Sequence, residues 1–342
     1  MPTPMQTEIV LAEPGVLVSR QGPVPAPAPG EALVRVRSIG VCGTDIHAFH
    51  GRQPFFSFPR ILGHELGVEV VEISGPAGNL QVGDRCAVEP YLNDPQSPAS
   101  RAGRGNCCEN MRVLGVHVDG GQRPFICVPT GKLHPGPGLH FDQLALVETL
   151  CIGAHGAARA QVTAEDDVLI IGAGPIGLAA LQSAMVRAKR VAVMDISATR
   201  LAFCRDKLGV KLTLAPGEKT EDDLRALLGG TLPQVVIDAT GNARSMAACV
   251  HLAAHGGRVV YLGLFQGDLA FHDPTFHRRE LTVMASRNAL PADFRTILSA
   301  VAAGRIDTGP WITHRLTLEE VPEKLPGIMA DPSLLKAMIE VP

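Results

Sequence analysis

Two short segments carry residue types that bind soft metal ions. The stretch "GVCGTDIHAFHG" supplies a thiol at Cys42, and "FPRILGHELGVEVVE" supplies an imidazole at His64 with Glu65 directly after it. Thiolate and imidazole are donors that suit zinc, and a catalytic zinc site needs three protein ligands with one position left open. Glu65 and Glu148 are both candidates for the third ligand. A third segment, "GAGPIG", places Gly172, Gly174, Pro175, Ile176 and Gly177 between an apolar strand and a helix. In that context Gly172 allows a tight turn, Gly174 lets the backbone approach a pyrophosphate, Gly177 permits close helix packing, and the helix N-terminus faces the anion. Asp195 ends the following strand, "RVAVMD". A carboxylate there accepts hydrogen bonds from an adenosine ribose, whereas a 2′-phosphate would meet a like charge at a cost of about 4 kcal/mol at 4 Å and an effective dielectric near 20. NAD is therefore expected rather than NADP. Arg200 either packs over the adenosine or is a solvated helix charge.

The elements that must position these groups change character near residue 150. Before it, β-rich runs such as "EALVRVRSIGVC", "LGVEVVEIS" and "DRCAVEPY" are separated by Gly/Pro turns, the pattern of a compact β unit. The proline-rich run at 22–30 is expected to be a long hairpin loop. After residue 150, strand and helix alternate from "DDVLIIGAG" through "PIGLAALQSAMVRAK", "RVAVMD", "ATRLAFCRDKLG" and "KLTLA" to "PQVVIDATG" and "RVVYLGL", with helices expected around 221–228 and 244–254. Such alternation predicts an α/β fold with right-handed crossovers and a doubly wound parallel sheet.

Composition bounds the function. The 342 residues suffice for two domains, and with 46% hydrophobic residues, 19% charged residues and a net charge of -3 the chain has no nucleic-acid surface or disordered tail to suggest itself. No apolar run approaches the length of a membrane span, and the start "MPTPMQTEIVLAEPG" lacks a basic region followed by an apolar one, so a cytoplasmic protein with no membrane partner is expected. The eight cysteines show no disulfide framework, and reduced thiols are expected.

Cys42-Gly43-Thr44-Asp45-Ile46-His47, "GHE" at 63–65, "VGDR" at 82–85, "ALVETLCIGAHG" at 145–156 and "GAGPIG" occur together and in this order. In these motifs, over nearly its whole length, the chain resembles the zinc-containing medium-chain alcohol dehydrogenases, in particular the sorbitol, threonine and sugar-acid dehydrogenase branch. The resemblance implies a GroES-like catalytic β domain at 1–150 completed by 289–342, and a Rossmann dinucleotide-binding domain at 151–288. It implies Cys42, His64 and Glu148 around zinc, with Glu65 as an alternating or indirect ligand. Zinc would act as a Lewis acid on a substrate hydroxyl, so that hydride can leave the carbinol carbon for NAD. Thr44 is then placed to take the hydroxyl proton, His47 to relay it through the cofactor ribose to solvent, and Asp45 to orient His64. Arg287 and Asn288, at the end of the strand in "RELTVMASRNA", are implied near nicotinamide and substrate, although a solvated charge explains Arg287 as well.

A small-molecule secondary alcohol, namely a polyol, sugar or sugar acid, is the expected substrate, because one Trp and two Tyr give little material for an aromatic slot, although Phe49, Phe55, Phe56 and Phe58 lie near the metal motif. Sorbitol dehydrogenases carry Tyr after the relay histidine, where this chain has Ala48. Arg60 and His50 either bind a substrate carboxylate or are loop charges. Alternatives are an L-threonine or simple alcohol dehydrogenase of the same family, a zinc-free quinone-reductase-like enzyme, and a non-catalytic NAD-binding protein. The apolar strand "RELTVMAS" predicts a homodimer or homotetramer paired through a sheet edge. Family members often hold a structural zinc with cysteines spaced C-x2-C-x2-C-x7-C. Counted back from Cys108 that spacing lands on Asp94, Ser97 and Ser100. One catalytic zinc per chain is therefore expected, the structural zinc having been lost, with a salvage site of Asp94, Cys107, Cys108 and His117 as the alternative.

Overall fold

The computed structural model describes residues 3–54 and 56–342. Phe55, one of the phenylalanines noted beside the metal motif, lies outside them. The chain divides into two compact units, residues 1–148 with 290–342, and residues 149–289. Among the described residues no helix is long and apolar enough to cross a membrane.

In the first unit, the main sheet runs in the order Leu133–Pro135, Arg85–Val88, Glu65–Ile73, Glu31–Gly40, Lys336–Glu340 and Ile312–Thr317, with Phe125–Pro129 also paired to Glu31–Gly40. Val34, Val36, Ile39, Val68, Val70, Ile126, Val128 and Ile339 interlock in its core. Fully burying each such side chain stabilises the fold by roughly 1.5–3 kcal/mol, and a one-residue slip would turn a whole set of them outward. The register is thereby fixed, and it matters for chemistry. Gly40 lies opposite Glu65 on one side and Met338 on the other. The chain leaving Gly40 towards Cys42 therefore runs beside the chain arriving at Glu65 through His64, and beside the start of Lys336–Glu340. Gly40 has to lack a side chain, because a Cβ there would fall 1.9 Å from Glu65 Oε2.

The run at 22–30 closes no hairpin. Val16–Pro23 pairs with Met5–Glu13 in a separate small sheet, whereas Glu31–Gly40 belongs to the main one. Its prolines, without N–H groups, suit a crossing between sheets where no ladder is made.

In the second unit, six parallel strands among the described residues run in the order Leu212–Leu214, Arg190–Met194, Asp167–Ile171, Val235–Asp238, Arg258–Tyr261 and Thr282–Ala285. This is the third-second-first-fourth-fifth-sixth order of a doubly wound dinucleotide-binding sheet. The helices expected around 221–228 and 244–254 are Thr220–Leu227 and Ala243–Leu252. All the strands being parallel, the loops that follow residues 171, 194, 238, 261 and 285 share the carboxyl edge of the sheet, where such folds bind ligands.

Candidate active site

The sheet register brings three metal-ligating side chains of the first unit together. The ligand atoms of Cys42, His64 and Glu65 all lie within 4.8 Å of one another. Cys42 caps the helix Gly43–Phe49, and Asp45 on its first turn accepts the Cys42 N–H through Oδ2 at 2.9 Å. The other oxygen of Asp45, Oδ1, faces His64 Nδ1 at 3.7 Å. Both of these atoms are buried without a hydrogen-bond partner. Asp45 thus holds the Cys42 backbone with one carboxylate oxygen and presents the other to the His64 ring.

The electrostatics favour a cation here. Burial pulls the His64 imidazole down, but the Cys42 sulfur and the Asp45 and Glu148 carboxylates outweigh it and hold His64 well above its ordinary value. Burial pushes Asp45 and Glu148 up, against the opposing pull of His64 in each case. A soft thiol, an imidazole and buried carboxyl groups that stay protonated more readily than usual form a donor set that fits zinc, which would displace those protons.

Glu148 stands on the helix Phe141–Arg159, within the electrostatic reach of His64 and Glu65. Its Oε1 accepts a hydrogen bond from the Tyr91 hydroxyl. Glu65 is engaged differently. Lys336 Nζ bonds both of its oxygens at 2.8 Å and the Val41 carbonyl at 3.2 Å, and Lys336 and Glu65 are 1% and 0% exposed. Burial draws the Lys336 ammonium down, but Glu65, Cys42 and Glu148 more than offset this and keep it charged. Neither Tyr91 nor Lys336 was marked by sequence reasoning. The available signals were weak: one lysine inside the apolar strand "LKAMIEV", and a tyrosine in a chain with two.

Thr44 and His47 lie one turn apart on the helix Gly43–Phe49, Thr44 half-buried and His47 exposed, opposite the buried Asp45, Ala48 and Phe49. Burial, reinforced by Arg52 and His50, lowers the His47 imidazole below its ordinary value and leaves it neutral near pH 7. Arg60 is tied to Asp119 at 3.2 Å and to Ser57 at 2.8 Å, which gives it a local structural task.

In the second unit Gly172 has φ +96°, and a Cβ on Gly177 would fall 1.7 Å from the Gly172 carbonyl oxygen, so the turn and the helix packing both exclude a side chain. Pro175 opens the helix Pro175–Met185, where a missing N–H costs nothing, and half-buried Ile176 follows it. Asp195 Oδ2 accepts the Ala173 N–H at 2.6 Å and Oδ1 the Ser197 N–H at 2.7 Å. Arg200 reaches back over the same loop, its Nη1 3.6 Å from where a Cβ on Gly174 would stand. Ile196, 90% exposed beside Asp195, adds an apolar face that the motif did not announce. Asn288 lies beyond the edge strand Thr282–Ala285, three strands from Asp167–Ile171 but on the same carboxyl edge, and has φ +54°, a conformation asparagine tolerates better than most residues. Arg287 beside it is exposed.

The lobe after Tyr91 has its own chemistry. Asp94 N–H donates to Cys108 Sγ at 3.3 Å, the Ser97 and Ser100 hydroxyl oxygens lie 3.0 Å apart, Ser97 Oγ caps the Ser100 N–H at 3.2 Å, and Asn93 Nδ2 donates to Ser100 Oγ at 2.9 Å. A hydrogen bond with Ser97 also holds the Cys108 thiol below its ordinary value. The four positions picked out by the cysteine spacing thus converge and bond one another. His117 Nδ1 accepts the Val113 N–H at 3.1 Å, which turns this ring nitrogen to a backbone bond.

Comparison with known proteins agrees with this geometry. Residues 28–138 match the alcohol dehydrogenase GroES-like domain, and residues 175–303 the zinc-binding dehydrogenase family. The chain is 42% identical over 334 residues to the L-galactonate-5-dehydrogenase of Escherichia coli strain K12, covering 97% of this chain and 98% of that protein. It is 32% identical over 334 residues to the sorbitol dehydrogenase of Bos taurus, covering 94% and 92%. The crystal structure of the alcohol dehydrogenase RspB from Escherichia coli CFT073, complexed with NADH, superposes with a TM-score of 0.91 at 27% identity over 98% of this chain and 99% of that one. With a thiol–imidazole–carboxylate cluster in one unit and a doubly wound dinucleotide-binding sheet in the other, the chain belongs to the zinc-type medium-chain alcohol dehydrogenase family and is an oxidoreductase of its polyol and sugar-acid branch.

Proposed function

We propose that the protein oxidises a secondary hydroxyl of a sugar acid, or of a related polyol or sugar, with zinc and NAD as cofactors. The observation that carries the reading is the convergence of half-buried Cys42 with buried His64 and Glu65 in a chain 42% identical to an L-galactonate-5-dehydrogenase. Bound zinc supplies Lewis-acid polarisation of the substrate hydroxyl, and NAD supplies the hydride acceptor. Cys42 and His64 hold the metal, with Glu148 and Glu65 as the carboxylates available beside them. Asp45 keeps Cys42 and His64 in place. Thr44 Oγ1 would accept the substrate hydroxyl proton as it gives up its own, and the neutral His47 imidazole would take that proton on towards solvent. In the second unit Gly172, Gly174, Pro175, Ile176 and Gly177 would receive the pyrophosphate, Asp195 would accept from the adenosine ribose in preference to a 2′-phosphate, Arg200 would cover the loop, and Asn288 would serve the nicotinamide end. Arg60 is committed to Asp119 and Ser57, which ties its charge to the loop rather than to a substrate carboxylate.

Screening NAD reduction over aldonic acids, polyols, sugars, L-threonine and simple alcohols, with zinc supplied, tests the reading. Highest kcat/KM on an aldonic acid, abolished by a chelator, is the expected result. Turnover of L-threonine alone, or cofactor binding with no turnover of any substrate, would overturn it. We also infer a homo-oligomer paired through the edge strand Thr282–Ala285, whose outer side has no neighbour within the described residues. Light scattering that returned the 36.1 kDa of a single chain would refute that inference.

A further inference from the structure

The Tyr91 hydroxyl bond to Glu148 lies outside the metal ligands themselves, and its surroundings are unusually well fixed. Tyr91 is 3% exposed and begins the two-residue strand Tyr91–Leu92, which pairs with Arg112–Val113 across the lobe. Its ring meets Phe294 edge-on, with centroids 6.4 Å apart. Phe294 is itself stacked on His134 at 4.6 Å, and His134 is bonded at 2.9 Å to Glu89, which is also bridged by Lys132. Lys132 reaches Asn93 Oδ1 at 2.8 Å, and Asn93 reaches Ser100 at 2.9 Å. The backbone that carries Tyr91 is thus tied at both ends, to the buried network of Glu89 and to the hydrogen-bonded lobe of Ser97, Ser100 and Cys108.

Glu148 faces a choice that such an anchor would decide. Its carboxyl group is buried, and both His64 and Lys336, the latter already bonded to Glu65, act on it electrostatically. A glutamate side chain with three rotatable bonds can lean towards either. A rigid donor on one oxygen selects a single orientation, and hydrogen bonds made to metal-site ligands by outer partners commonly alter metal affinity by about 10- to 100-fold.

We propose that Tyr91 is a positioning residue for Glu148, aiming its carboxylate at the metal held by Cys42 and His64, and that the hydrogen-bonded lobe serves to seat Tyr91. The inference rests on the reading of Glu148 as a carboxylate at the metal. It gives the lobe a task in the active unit that does not require an ion of its own.

The test uses the full-length, zinc-loaded protein and its Tyr91→Phe, Glu148→Gln and doubly substituted forms. Zinc release into a chelating dye, the visible spectrum of the cobalt-substituted protein, and kcat beside the KM for NAD are measured. Tyr91→Phe keeps the ring against Phe294 and removes one donor. It should speed zinc release by about 10- to 100-fold, shift the cobalt bands, and lower kcat with the KM for NAD unchanged. In the Glu148→Gln background the same substitution should add less than about a twofold change, because the partner through which it acts is gone. Release, spectrum and kcat like wild type in Tyr91→Phe, with Glu148→Gln clearly altered, overturn the inference and leave the site reading intact. Additive effects of the two substitutions overturn it as well. Wild-type behaviour of Glu148→Gln in all three readouts sinks the placement of Glu148 at the metal, and the inference with it. Should Tyr91→Phe fail to fold, Ser100→Ala, which cuts the lobe bonds that seat Tyr91 without altering Tyr91 itself, carries the test. Faster zinc release supports the proposal and unchanged release refutes it.

Discussion

Substitution of Asp195 by alanine separates a task the structure shows, bracing the glycine loop, from the proposed one of reading the adenosine ribose. The side chain accepts the Ala173 N–H at 2.6 Å and the Ser197 N–H at 2.7 Å, which tie the glycine loop to the strand end. Hydrogen bonds to a charged acceptor are worth roughly 1.5–3 kcal/mol each, so loosening the loop should weaken both NAD and NADP. Accepting from the adenosine ribose is a further bond of similar size that favours NAD, and repulsion of a 2′-phosphate amounts to about 4 kcal/mol at 4 Å. The loop contribution cancels when the two cofactors are compared. What remains, discounted for solvent at the rim of the site, is about 3–4 kcal/mol, or a swing of roughly 10²- to 10³-fold in the ratio of kcat/KM for NAD over NADP. Arg200, already beside Gly174, offers the incoming phosphate a partner. Steady-state kinetics with both cofactors on wild type and Asp195→Ala measure the swing. A parallel loss on both cofactors would mean that Asp195 only braces the loop, and a wild type that prefers NADP would remove the basis of the argument.

Other consequences are as direct. Cys42→Ala should abolish turnover and zinc retention, yet leave NAD affinity by calorimetry within about tenfold of wild type, since the dinucleotide loop belongs to the other unit. Metal analysis of wild type purified without chelator should give about one zinc per chain, and a second ion surviving Cys42→Ala would show that the lobe at 94–117 binds metal after all. Lys336→Met strands Glu65 as a buried carboxylate without its ammonium, and should destabilise the metal-free protein by about 3–5 kcal/mol in denaturant titration; a loss below about 1 kcal/mol would contradict the pairing. His47 is held below its ordinary value, so it is the neutral acceptor form that is present at pH 7, and wild-type kcat should stay level above neutrality and fall only as the pH drops below the usual histidine range near about 6.5. His47→Ala should lower kcat by about 10- to 100-fold at pH 7 and flatten that acid limb, and an unchanged pH profile would remove His47 from the proton path.

How far the site could be read from the chain depends on how local each task is. The glycine loop was legible because its requirements sit within six residues, and the 1.7 Å approach at Gly177 is a constraint that only one residue type meets. The doubly wound sheet was legible for a related reason, its strands being short continuous apolar runs whose alternation with helices leaves few topologies. The hairpin expected at 22–30 failed because proline content signals an interrupted ladder without saying which strands flank the interruption. The carboxylates show the limit best. Glu65 and Glu148 are equivalent as candidate third ligands when only residue type is read, two acids near motifs that carry chemistry. Their partners distinguish them: Glu65 is gripped by Lys336, 271 residues away, and Glu148 by Tyr91, 57 residues away. Neither partner has a local pattern, because what brings it there is the register of Gly40 against Met338 in one case and the course of the lobe in the other.

The lobe shows why a missing motif need not mean missing structure. A structural zinc holds its four ligands from the centre, and apparent binding energies of about 10–16 kcal/mol in small zinc domains indicate how much order such an ion can supply. Here Asp94, Ser97, Ser100 and Cys108 occupy the same spacing and are joined by a ring of neutral hydrogen bonds, each of which nets only about 0.5–1.5 kcal/mol. Those bonds alone cannot replace an ion. The remainder has to come from the points where the lobe is tied into the unit, namely Asn93 to Lys132, Lys132 to buried Glu89, and Tyr91 against Phe294. A zinc-held lobe can be ordered on its own, whereas this one is ordered through its contacts with the core beside Glu148. Loosening it should therefore be felt at Glu148 before it is felt as unfolding.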